Sequence, residues 1–146
     1  MAMSLKRGVV VCLAMSGLLT FLPTTAGQDE VPPGLKGDWS AVAITRHGKP
    51  IIPGPIDRIT MTIGKDELVL VENGKRSKAK YVVATGKSPA HIDMILKAGE
   101  KPFKGIYELK GDVFTICYSP DGERPEAFRS TEDEKTTLIE FRREKN

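Results

Sequence analysis

The side chains that could do acid–base or metal chemistry are few in this sequence. It contains two histidines, His47 and His91. His91 and Asp93 are two residues apart, so on a β-strand they would share a face, as a base with its orienting carboxylate or half of a metal site requires. No third ligand stands at a recognisable spacing from them. We therefore expect His91 to be a surface or rim residue, and Asp93 to pair with Arg124 or to accept backbone hydrogen bonds.

Nucleophilic chemistry has equally little support. Cys117 lies in the apolar stretch V-F-T-I-C-Y, where nothing nearby would lower the pKa of its thiol, so we expect a buried and unreactive side chain. Ser119 begins the turn S-P-D-G and is not surrounded by the G-x-S-x-G pattern of a nucleophilic serine. We predict that the protein is not an enzyme, and we predict no catalytic residue, no metal ligands and no cofactor.

A local basic run includes Arg76, Lys78 and Lys80. On a strand these three side chains would form a ladder on the outer face, which usually serves solubility and protects a sheet edge. An anionic polymer or surface is the alternative partner for this ladder.

The first 26 residues have the pattern of a secretory leader. Lys6 and Arg7 precede an apolar run over residues 8–22, and small residues follow at positions 23–27. The run is about 15 residues long, shorter than the roughly 20 that span a bilayer. We expect cleavage after Ala26, or else after Gly27, and an exported protein in the periplasm or outside the cell. An uncleaved N-terminal anchor is the alternative.

Removing residues 1–26 changes the charge balance. It leaves 20 basic residues against 19 acidic ones, a net charge of +1. Nucleic-acid binding requires a concentrated positive surface, so this balance argues against it. Cys117 is then the single remaining cysteine, which excludes an internal disulfide. No later segment is long and apolar enough to span a membrane as a helix.

Residues 35–146 are predicted to form one all-β domain, after a flexible lead-in over residues 27–34. Apolar residues recur there with a period of two between turn signals such as Asn73-Gly74, the pattern of antiparallel strands. An up-and-down barrel of about eight strands would leave no exposed edge, and a two-sheet β-sandwich is the alternative. The predicted strands are 38–46, 58–63, 67–71, 77–84, 91–97, 102–109, 113–118 and 136–143.

Four motifs carry a family resemblance. They are L-K-G-D-W at 35–39, H-I-D-M-I-L at 91–96, G-I-Y-E-L-K-G-D-V-F-T-I-C-Y at 105–118 and E-R-P-E-A-F at 123–128. In this order, and ending in F-R-R-E-K, they resemble a lipocalin-like domain family of unassigned function that is abundant in planctomycete bacteria. The resemblance covers residues 35–145. It implies a small lipocalin-like β-barrel, often exported, with no established substrate or reaction.

The pair Gly37-x-Trp39 also resembles the G-x-W of true lipocalins, in which an arginine from the last strand stacks on the tryptophan. Arg142 and Arg143 are the candidates, and Arg143 shares a side with the apolar residues of its strand. An arginine over an indole ring contributes about 0.5–2 kcal/mol. We expect Gly37, Trp39 and Arg143 to close the barrel and not to bind a ligand.

The leading functional prediction is binding of a small, largely apolar molecule inside the barrel, with Met61, Tyr81, Met94 and Tyr107 as candidate ligand-binding residues. The alternative is a structural or protein-interaction module whose barrel is filled by its own side chains, and an enzyme comes third. An open pocket of roughly 300 Å³ or more would favour the first. A packed interior would favour the second, and His91 and Asp93 meeting in a cleft would favour the third.

Overall fold

The computed structural model describes residues 29–51 and 58–145. The predicted leader and its cleavage site therefore lie outside the described residues. Within them there are nine β-strands and one 3-10 turn, Pro33–Leu35, but no α-helix, and so no helix that could cross a membrane. The strands are β1 Gly37–Arg46, β2 Lys49–Ile51, β3 Ile59–Ile63, β4 Glu67–Glu72, β5 Lys75–Ala84, β6 Ala90–Ile95, β7 Phe103–Lys110, β8 Val113–Ser119 and β9 Thr137–Arg143.

Eight of these strands form a closed antiparallel barrel in the order β1-β3-β4-β5-β6-β7-β8-β9. The ring closes because β9 pairs back with β1, from Trp39 opposite Arg143 to Arg46 opposite Thr137. This closure confirms the predicted barrel and rules out the two-sheet sandwich. All eight predicted strands are present, with ends that differ from the prediction by two residues at most.

β2 lies between the predicted strands 38–46 and 58–63, where no strand was predicted. The chain turns back at His47 and Gly48, whose φ angles of 49° and 76° match a tight hairpin turn. β2 then pairs only with the second half of β1, because β3 contacts only the first half. β2 is an edge strand of this sheet. Pro50 is tolerated there because an edge strand does not need every backbone N–H for pairing with a neighbouring strand.

The inward positions of the strands fill the barrel with apolar side chains. Trp39, Tyr107 and Phe141 surround Phe114, with ring centroids 5.5–6.0 Å from it. Such tilted and offset aromatic pairs stabilise a core beyond their buried area. The buried core consists of Leu35, Trp39, Ile44, Ile59, Met61, Ile63, Leu68, Ala79, Tyr81, Val83, Ile92, Met94, Tyr107, Phe114, Ile116, Ile139 and Phe141.

The two ends of the barrel differ. One end, here called the closed end, carries the start of β1, the turns at 64–66, 85–89 and 111–112, and the segment 29–36. That segment crosses from β1 to the end of β5, where the Asp29 carboxylate accepts a 2.7 Å hydrogen bond from the Thr85 N–H. Val31 and Leu35 pack against the core from this side. The opposite end, here called the open end, carries β2, the turn at 73–74 and the loops 96–102 and 120–136.

The loop 120–136, here called the strap, connects β8 to β9 and folds back over the outer face of the barrel. Arg124 anchors it through contacts to Asp93 on β6 and to the Gly105 carbonyl on β7. The strap lies against Cys117, whose thiol donates to a carbonyl oxygen of the strap and is fully buried. Phe128 is half-buried in the strap and does not join the described core.

Candidate functional site

The closed end is sealed by the residues that the G-x-W pattern singled out. The Arg143 guanidinium carbon lies 4.2 Å from the centroid of the Trp39 ring. Its nitrogens donate to the carbonyl oxygens of Lys36, at 3.0 Å, and Gly34. Gly37 has a φ of +131°, and a Cβ there would stand 2.8 Å from an Arg143 nitrogen. The positive φ and the close approach of Arg143 both favour glycine at this position.

The barrel interior holds one cavity near the open end, with a volume of about 60 Å³ among the described residues. Its lining is apolar except for the hydroxyl groups of Ser77 and Tyr118. Leu96 stands at its edge and is 41% exposed. The lining residues are Met61, Leu68, Leu70, Ser77, Ala79, Met94, Leu96, Phe103, Tyr118 and Ile139.

The structure separates the four candidate ligand-binding residues. Met61 and Met94 line the cavity. Tyr81 instead donates a 2.5 Å hydrogen bond to the Gly64 carbonyl at the closed end, and burial raises its pKa to about 12. Tyr107 packs on Phe114 in the aromatic cluster, with ring centroids 6.0 Å apart. All four side chains are buried in the core, but only the two methionines reach the cavity.

An ion pair that the sequence analysis missed lies at the rim of the open end. A guanidinium nitrogen of Arg46 is 2.8 Å from a carboxylate oxygen of Glu72, and both side chains are about one-third exposed (34% and 33%). Arg46 pairs in register with the buried Thr137, and Glu72 with the buried Ile59. Both therefore belong to the inward rows of their strands. The available signal was the alternation itself, since each follows an inward apolar residue by two positions.

Tyr118 connects this rim to the cavity. It pairs in register with Thr137, which in turn pairs with Arg46, so the three residues form one row across β8, β9 and β1. Its ring stacks on Phe103 with the centroids 6.0 Å apart. Burial raises the pKa of the Tyr118 hydroxyl, while the Arg46 guanidinium acts in the opposite direction. Tyr118 therefore links the rim residue Arg46 to the cavity that it lines.

Asp93 and Arg124 meet on the outer surface of the barrel. An Arg124 nitrogen lies 2.6 Å from an Asp93 oxygen and 2.7 Å from the Gly105 carbonyl oxygen. Burial, and then the positive charge of Arg124, lower the pKa of the neighbouring His91, while Asp93 acts to raise it. This cluster lies outside the cavity. In the part of the chain that the structure describes, no three His, Cys, Asp or Glu residues are placed to hold a metal ion.

Two further predicted features lie on the outer surface. Cys117 is buried beneath the strap, and its burial raises the pKa of the thiol. Arg76, Lys78 and Lys80 form an exposed ladder on β5. β5 pairs with β4 along residues 75–80 but with β6 only from Lys80 onwards, so Arg76 and Lys78 lie on a stretch of β5 that is paired on one side.

Larger hollows, of about 330–460 Å³, lie beside the strap, around the segment 29–36 and at the rim beside Glu72. Tyr81 lines one of the two hollows at the segment 29–36, and Tyr107 lines the other. The hollow beside the strap is bordered mostly by charged side chains, unlike the apolar cavity inside the barrel.

No family model, curated protein or solved structure matches this chain. The lipocalin-like resemblance therefore stays a prediction.

Proposed function

We propose that the protein is an exported, non-catalytic, lipocalin-like module that binds one small, largely apolar molecule at the open end of its barrel. The observation that carries this proposal is the apolar cavity next to the exposed Leu96, at the end opposite the Trp39–Arg143 seal. The proposed export depends on the leader pattern of residues 1–26.

The size of the cavity limits the ligand. One water-sized group needs roughly 10–15 Å³ of cavity volume. The cavity of about 60 Å³ therefore has room for roughly four to six such groups. Met61 and Met94 are flexible and polarisable, so they can adjust their shape around a slightly larger group. The expected ligand is a short apolar molecule, or one apolar end of a longer one.

A second candidate function has its own supporting observation. Typical ligand pockets measure about 300–1,000 Å³, well above the 60 Å³ found inside this barrel. A barrel filled by its own side chains would act as a structural or protein-interaction module through its outer surface. The two candidates differ in whether any molecule enters the cavity.

The test is native mass spectrometry of the protein purified from its own host, alone and after addition of 1-hexanol. We expect a bound small molecule in the unaltered chain and none in Ala79→Leu, which fills the cavity. Ala84→Leu is the matched control, because Ala84 lies on the same strand but does not line the cavity. If the unaltered chain binds nothing, or if A79L binds as well as A84L, the filled barrel replaces our proposal.

A further inference from the structure

We infer that the ligand is a short-chain carboxylate, with its alkyl chain in the cavity and its carboxylate group on Arg46 at the rim. This inference depends on the proposed function and adds the chemical class of the ligand. Three features carry it: the unused donors of Arg46, the charge of the rim, and the distance from Arg46 to the cavity.

The guanidinium group of Arg46 has donors to spare. An arginine side chain carries five N–H donors in a planar fork that matches a carboxylate. Among the described residues, the contact from one nitrogen to Glu72 is its single side-chain hydrogen bond. With about one-third of the side chain exposed, the remaining donors are accessible to a molecule entering the barrel.

The rim also favours an anion electrostatically. Lys49 stands opposite Arg46 in the β1–β2 register, and Lys75 stands opposite Glu72 in the β4–β5 register. Arg46, Glu72 and their register partners on β2 and β5 thus comprise three cationic side chains and one carboxylate. A concave site lined mostly by one sign of charge attracts the opposite sign, and here it disfavours an amine head group.

The spacing between Arg46 and the cavity fits a short amphiphile. Arg46, Thr137 and Tyr118 lie on three neighbouring strands, which are about 4.8 Å apart in a sheet. Tyr118 lines the cavity, so a carboxylate on Arg46 places its alkyl chain at the cavity entrance. The cavity volume corresponds to roughly four to six carbon atoms.

The experiment compares two ligands of equal chain length, hexanoate and 1-hexanol, by isothermal titration of the full chain at low and high salt. We expect hexanoate to bind about tenfold more tightly than hexanol at low salt, because hydrogen bonds to a charged group are stronger than neutral ones. Added salt should reduce that ratio. Arg46→Gln should remove the preference for hexanoate, whereas Arg142→Gln, on the outer face of β9, should leave it unchanged.

The outcomes separate the two proposals. Equal binding of the two ligands, independent of salt, overturns the carboxylate inference and leaves the proposed function standing. Binding of neither ligand overturns the proposed function itself. A preference for hexanoate that survives in R46Q overturns the role of Arg46. Should R46Q fail to fold, the salt dependence of the hexanoate-to-hexanol ratio in the unaltered chain decides the inference.

Discussion

Arg143 connects the first and last strands at the closed end, and its removal tests whether that connection stabilises the barrel. Its guanidinium group stacks on Trp39 at 4.2 Å and donates to the carbonyl groups of Lys36 and Gly34. It also lies 3.5 Å from the exposed Asp112 carboxylate. Arg143→Ala removes all of these interactions and leaves the backbone pairing of β1 with β9 in place.

The expected loss of stability in Arg143→Ala follows from these contacts. The cation–π interaction contributes about 0.5–2 kcal/mol. Two hydrogen bonds from a guanidinium group to carbonyl oxygens contribute about 0.5–1.5 kcal/mol each, and partial exposure of the side chain keeps them within that range. The exposed pair with Asp112 adds little. We expect Arg143→Ala to lower the free energy of unfolding by about 1.5–5 kcal/mol in total.

Equilibrium unfolding in urea measures this loss, with the fluorescence of Trp39 as the signal because it is the single tryptophan. Arg142→Ala is the matched control, since Arg142 is exposed on the opposite face of β9, and it should cost less than about 0.5 kcal/mol. The slope of the unfolding free energy against urea concentration should be the same in both variants. If R143A and R142A lose the same stability, Arg143 does not hold the closed end together.

Three more predictions concern other parts of the barrel. Gly37→Ala should destabilise by about 1–3 kcal/mol in urea unfolding, more than Gly111→Ala, whose Cβ would meet open space. Arg124→Gln should loosen the strap and increase the rate at which a thiol reagent labels Cys117 several-fold; an unchanged rate would mean that the strap is held by other contacts. The lowered pKa of His91 means that the unfolded chain binds its proton more readily, so stability should fall as the pH drops below about 6.5. Between pH 7.5 and pH 5.5, about one unit either side of the ordinary histidine pKa, the urea midpoint should decrease less in His91→Gln than in the unaltered chain. An identical decrease in both would contradict this assignment.

The strands could be predicted because each barrel strand has one buried and one exposed face. Ile59, Met61 and Ile63 alternate with threonines, and the buried set is the apolar one. β2 could not be predicted in this way, because its three residues are all exposed and show no alternation. Its existence depends on the His47-Gly48 turn and on a β1 edge that β3 leaves free.

The candidate site was predicted only in part, for a related reason. A period of two says which face a side chain is on, but not at which height along the barrel it lies. Met61 and Tyr81 both point inward, yet one reaches the open-end cavity and the other bonds near the closed end. The Arg46–Glu72 pair joins β1 to β4 across 26 positions of sequence. Its formation depends on the stagger of the strands, which the sequence pattern does not encode.

The pairing of β1 with β9 has a consequence for how the barrel assembles. Ser40 and Glu144, whose side chains hydrogen-bond beside this pairing, are 104 positions apart. Contacts of such long range raise the contact order of a fold and slow its formation. A nascent chain that has reached only β8 still has unpaired backbone groups along both β1 and β8, which are templates for aggregation. The ring therefore becomes complete only when β9 has become available to pair with both β1 and β8.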